Sequence, residues 1–185
     1  MTTPNDSTAA GPAAGSATWQ LDPAGSSVTF EHKTIWGLAT VRGGFTGITG
    51  SGEIAADGSA SGRLELDAAS VDTKHGQRDK HLRSADFFGA ESHPKIVAEL
   101  GPVVRQGNAA AQVTGTLTVA GVTRPITLTA AITEETDQAI TLTASGEFNR
   151  ADYGMSWNIL GMIKGNASVS VVARFVPSAA AGPAS

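Results

Sequence analysis

Val113-Thr114-Gly115-Thr116-Leu117-Thr118-Val119, followed closely by Ile126-Thr127-Leu128-Thr129-Ala130, sets a small or apolar residue against a threonine at every step. A period of two is the signature of a β-strand with one face in a core and one in water. Working outward, the same parity recurs. Val28, Phe30, His32, Thr34 and Trp36 alternate with Thr29, Glu31 and Lys33. Ile140, Leu142, Ala144, Gly146 and Phe148 form another apolar set, and Val169, Val171, Ala173 and Phe175 a further one, opposed by Ser170 and Arg174. Shorter strand candidates run over Val41–Phe45, Gly52–Ala55, Gly62–Asp67 and Lys95–Leu100. About eight or nine short strands separated by Gly-, Asp- and Asn-containing turns mean an all-β barrel or sandwich. The helical candidate is Asp72–Ala90, read as a short strap or lid.

The 185 residues accommodate one domain, and the composition has no internal break. Residues 1–17 and 177–185, built largely of Ala, Gly, Ser, Thr and Pro, bury too little to order themselves and are expected to be disordered tails. The domain is therefore expected over 18–176. There are no cysteines, which excludes disulfides, thiolate catalysis and cysteine-ligated metals. A net charge of −4 opposes phosphate-backbone binding, so no nucleic-acid partner is expected. No signal-like or membrane-spanning run is present, and a cytoplasmic location is the expectation. A homodimer formed through an edge or a mouth is compatible with a barrel of this size.

Closing about eight strands leaves an interior that is either packed with side chains or just large enough for one ligand. Gly43, Ala98, Gly115, Ala130, Ala144, Gly146 and Ala173 fall on the inward face, which leaves room. Two sheets that simply close over these small residues satisfy the pattern as well. The run Tyr153–Ile163 is apolar but interrupted by glycine, and reads either as an adaptable cavity mouth or as a loop folded into the core. His32, on the apolar face, is either a satisfied core residue or a contact to a ligand's polar group. The basic cluster Lys74, His75, Arg78, Lys80, His81 and Arg83 is either a solvated face or a seat for an anionic head. His75 and His81 lie six apart, a spacing that fits no metal pair, so no metal is expected. Gly43–Gly52 lacks the Lys-Ser/Thr of a phosphate loop and reads as turns and edge bulges. Hydrolysis finds no nucleophile elbow.

Several blocks in order resemble the YceI-like lipid- and polyisoprenoid-binding family. They are Trp19-Gln20-Leu21-Asp22-Pro23 with Ser26, Val28 and Phe30; Val41-Arg42-Gly43 with Phe45; and Ser70-Val71-Asp72-Thr73. Arg78-Asp79-Lys80-His81-Leu82-Arg83-Ser84-Ala85-Asp86-Phe87-Phe88 with His93-Pro94, Gly115–Pro125 and Phe148–Met155 continue the series. The resemblance implies a single antiparallel lipocalin-like β-barrel of about eight strands, with an elongated cavity for an isoprenoid, quinone or fatty-acid-like chain; it does not imply catalysis, and no cofactor is expected. Where the family commonly has a histidine this chain has Thr34, and His32 stands where an aliphatic residue is usual. Phe30, His32, Phe45, Leu117, Leu128, Leu142, Phe148, Met155, Trp157 and Ile159 are the expected cavity residues. Arg78, Asp79 and Asp86 are expected to tie the strap to the barrel rim. The rival reading is an enzyme acting on a lipid or polyketide in the same cavity, with His32 or His81 as acid or base.

Overall fold

A computed structural model describes residues 16–34, 39–155 and 166–178. Eleven strand segments form it: β1 (Ala17–Leu21), β2 (Ser27–Thr34), β3 (Ala39–Phe45), β4 (Ile48–Ile54), β5 (Ala60–Asp67), β6 (Val71–Asp72), β7 (Lys95–Gln106), β8 (Ala110–Val119), β9 (Val122–Glu135), β10 (Ile140–Phe148) and β11 (Ala167–Pro177). The first and last strands reach one residue beyond the sequence-derived domain limits, and the rest of both tails lies outside the described residues.

Six of these segments are halves of three hinged strands. β1 and β2 both pair with β11, at Leu21↔Phe175 and Ser27↔Val172, and they pair in turn with β4 and β3. β5 pairs with β4 while β6 pairs with β3. Counting each hinged strand once gives eight antiparallel strands, closed where β1 meets β11. Two of the hinges are built by an Asp followed shortly by a Ser. The Asp22 carboxylate accepts from Ala24 N–H at 3.1 Å, and Ser26 Oγ donates to Asp22 O at 2.7 Å. The Asp67 carboxylate accepts from Ala69 N–H at 2.9 Å, and Ser70 Oγ donates to Asp67 O at 2.7 Å. Arg174 locks the first hinge with a 2.9 Å ion pair to Asp22, which holds that carboxyl below its ordinary pKa.

The glycine-rich stretch read as turns is instead mostly strand, with only Thr46 and Gly47 between β3 and β4. Its glycines serve close approach. A Cβ at Gly43 would meet the Thr73 methyl at 2.6 Å, and one at Gly50 the Arg63 carbonyl at 2.7 Å. β7 runs on to Gln106, past a register shift between Leu100 and Val103. Beside that shift Gly115 admits no side chain, since its Cβ would lie 2.0 Å from Glu99 O. Ala120 and Gly121, with φ of 47° and 78°, form the two-residue turn between β8 and β9, the left-handed geometry such hairpins need.

The strap holds a shorter helix than the sequence suggested, α1 (Gly76–Arg83). Leu21, Val28, Ile48, Leu66, Ala68, Ile96, Val119, Tyr153, Met155 and Ala173 make one buried cluster, and strap residues Phe87, Phe88 and Ala90 pack against it. Among the described residues no helix is long and apolar enough to cross a membrane.

Candidate ligand cavity

The register puts Phe30, Val41, Leu117, Ile126, Leu128, Leu142, Ala144 and Val169 on the same face as the buried core residues, pointing into the barrel. Yet these side chains are half-buried rather than buried. Inward residues that keep contact with solvent-sized space line a lumen that side chains do not fill. Gly146, also inward by register, is exposed, and a Cβ there would meet nothing within 4 Å. Among the described residues, nothing fills the space at that point.

The expected cavity residues other than His32 divide into four groups. Phe30, Leu128 and Leu142 stand on the lumen wall, paired with Gly43, Val113 and Ala173 respectively. Phe45, Leu117 and Phe148 are inward but pack against the buried cluster. Phe45 lies 6.1 Å from the Phe30 ring and 5.5 Å from Phe88 of the strap, while Phe148 stacks on Tyr153 at 4.9 Å. Met155, 3% exposed, belongs to the core itself. Trp157 and Ile159 lie outside the described residues.

His32 faces the lumen beside Val41, and its ring bonds the backbone of Asn166. Burial pushes its pKa below the ordinary value; the Asn166 bond opposes this and the nearby Arg150 charge adds to it, so the neutral imidazole is favoured. Nε2 is buried with no hydrogen-bond partner. Trp19 Nε1 is the other buried orphan among the described side chains. His81 is not in the lumen. It sits on the strap, 3.2 Å from Asp86 and edge-on to Phe87, so the two histidines belong to different sites. Among the described residues no group of His, Asp or Glu side chains could hold a metal ion.

The strap fastening differs in detail from the expectation. Arg78 donates to Thr73 Oγ1 at 2.7 Å and Thr73 O at 2.8 Å, and Arg83 to Val71 O at 2.9 Å, so both tie the strap to β6 and the residue after it. Asp79 is buried and turns inward, accepting from Thr73 N at 2.9 Å and Thr73 Oγ1 at 2.5 Å. Burial pushes its carboxyl up, but the Thr73 bonds outweigh this and its pKa is lowered. Asp86 pairs with His81 within the strap instead of reaching the rim, because the chain has already turned at Ser84.

A residue the sequence reading passed over is Arg124. It occupies an inward position of β9, opposite Leu117, but its Nε turns to donate to Asp152 O at 3.0 Å. A lone arginine on an otherwise apolar parity set was the available signal.

The model of the YceI-like domain family matches residues 19–175. Among curated relatives, a UPF0312 protein of Vibrio parahaemolyticus is 32% identical over 117 residues, covering 62% of each chain. One from Ectopseudomonas mendocina is 45% identical over 67 residues, 36% of this chain and 35% of its own. The chain thus spans less than two thirds of the length of the curated relatives it matches. Burkholderia cenocepacia BcnA superposes with a TM-score of 0.74 at 17% identity, over 83% of this chain and 98% of its own. A polyisoprenoid binding domain from Saccharophagus degradans, implicated in plant cell wall breakdown, gives 0.72 at 18%, over 88% and 99%. At these identities the structural likeness establishes the barrel fold. With its blocks in order and a family match running from β1 to β11, the chain belongs to the YceI-like domain family.

Proposed function

We propose that this protein is a carrier or reservoir for a long-chain apolar molecule, a polyisoprenoid, isoprenoid quinone or fatty-acid-like lipid, held inside the barrel. One observation carries the reading: inward apolar side chains on a closed barrel keep access to empty space. Phe30, Leu128 and Leu142 are half-buried although their register points them inward. An empty apolar void costs about 24 cal/mol per Å³, whereas an occupying chain gains about 25 cal/mol per Å² of apolar surface it buries. An occupant therefore stabilises the fold. The relative from Saccharophagus degradans described as polyisoprenoid binding supports the ligand class.

Phe30, Leu128 and Leu142 form the wall in this reading, with Phe45, Leu117 and Phe148 where it meets the buried cluster and His32 the polar group nearest the ligand. It is a binding barrel rather than an enzyme: burial favours the neutral form of His32, whose described ring contact is the backbone of Asn166 and not a carboxylate. Native mass spectrometry of protein purified without detergent, followed by organic extraction, tests it. The expected result is a stoichiometric apolar adduct released by solvent. Protein that carries none and takes up no added prenyl chain defeats the proposal.

A further inference from the structure

The β8–β9 ladder is complete, from Val119↔Val122 down to Ala110↔Ala131, whereas the β9–β10 ladder spans only Ile140↔Glu135 to Ala144↔Ala130. Beyond that last pair β10 remains paired with β11 through Phe148↔Ala167, and β9 remains paired with β8. Among the described residues the two strands therefore part, leaving a window in the barrel wall. Its rims are the stretches from Pro125 to Thr129 and from Ser145 to Glu147.

Three further observations point the same way. Gly146 is exposed although it faces inward, and a Cβ there would meet nothing within 4 Å. Ile126 and Leu128, inward on the opposite rim, are half-buried. Pro125 is the fourth of the fourteen residues of β9. Because a two-residue turn makes Val119↔Val122 a hydrogen-bonded pair, alternation makes Thr116↔Pro125 a non-bonded one, so the proline nitrogen faces β10. A proline there has no N–H to give to β10, which disfavours pairing at the far end of the window.

A short 3₁₀ turn at Arg150–Tyr153 bridges the far end of the window. It is anchored by Tyr153, buried and stacked on Phe148, and it meets β9 through the Arg124 Nε bond to Asp152 O at 3.0 Å.

We propose that apolar ligand enters and leaves sideways through the β9–β10 window, and that Arg124, bonded to the Asp152 carbonyl, is its latch. The inference rests on the reading of an apolar ligand in the lumen, and it adds the route. A flexible chain can thread sideways without unseating the strap. Arg124 in this role is a positioning residue, holding the bridging turn and contacting no ligand.

The chain has no cysteine, so Leu142→Cys places a single thiol on the lumen wall. Its reaction rate with N-ethylmaleimide reads access without any ligand. Gly146→Trp, which fills the window, should slow that reaction at least tenfold, and Arg124→Ala should speed it several-fold. Release of retinol, a fluorescent isoprenoid alcohol, from the full chain to phosphatidylcholine vesicles should change in the same two directions. Labelling rates that ignore both variants overturn the window, and rates that respond to Gly146→Trp alone overturn the latch. Failure of the unsubstituted chain to bind retinol counts against the ligand reading, while the labelling arm still decides the window.

Discussion

Two openings lie at the same end of the barrel, and they are closed by different chemistry. Above Gly44 no strand flanks β3 on its outer side, and the strap covers that side with a buried carboxylate, two arginines on backbone carbonyls and the Phe88 ring against Phe45. Above Ala144 β10 has lost β9, and the described bridge to β9 is one arginine on one carbonyl. Removing a partner from a buried carboxylate network costs far more than releasing an exposed side chain. The strap side therefore holds the fold together, and the window side is where it can yield.

The largest test of that contrast is in the filled half. Leu66→Ala, in the buried cluster, should lose about 2–5 kcal/mol in urea unfolding. A loss comparable to that of a lumen variant would erase the distinction between filled and hollow halves. Asp79→Ala comes next, because it leaves the Thr73 N–H and hydroxyl hydrogen without an acceptor in a buried place, and about 1–3 kcal/mol should be lost. Its pH dependence has a definite sign. The folded pKa of Asp79 is lowered, so its contribution is complete above the unfolded value near 3.8 and disappears as pH falls through the folded one. The variant should accordingly show a shallower acid loss than the parent.

His32→Leu removes a buried orphan, and a gain of about 1 kcal/mol is expected. The folded histidine has its pKa lowered below 6.5, so as pH falls through 6.5 the unfolded chain takes up a proton that the folded one refuses. Stability should fall over that window in the parent and stay flat in the variant, as melting temperatures across a pH series would report. An identical slope in both would mean that burial does not lower the pKa of the folded imidazole. Smallest in stability is Leu142→Ala, which widens a space already open and should cost under about 1 kcal/mol, yet lower the amount of lipid extracted from the protein.

Parity reading identified the inward faces correctly where strands were long. Gly43, Ala98, Gly115, Ala130, Ala144, Gly146 and Ala173 all lie on that face by register. It failed at Gly43–Gly52, because glycine signals turns on average while here it permits walls to touch, as the 2.6 Å approach of Thr73 to a Cβ at Gly43 requires. Alternation also cannot say whether an inward residue meets another side chain or a void. Phe45 and Leu128 carry the same parity, and only the three-dimensional course of the strap makes the first packed and the second half-open. The partners of Asp79 and Arg124 were illegible for a related reason, since each bonds a backbone amide or carbonyl that the sequence does not locate.

The hollow, occupied interior is the central claim, and a crystal structure of the chain purified without detergent tests it most directly. The account expects one continuous elongated stretch of electron density along the lumen past Phe30, Leu128 and Leu142. A lumen filled by the protein's own side chains, or by ordered water alone, would contradict it.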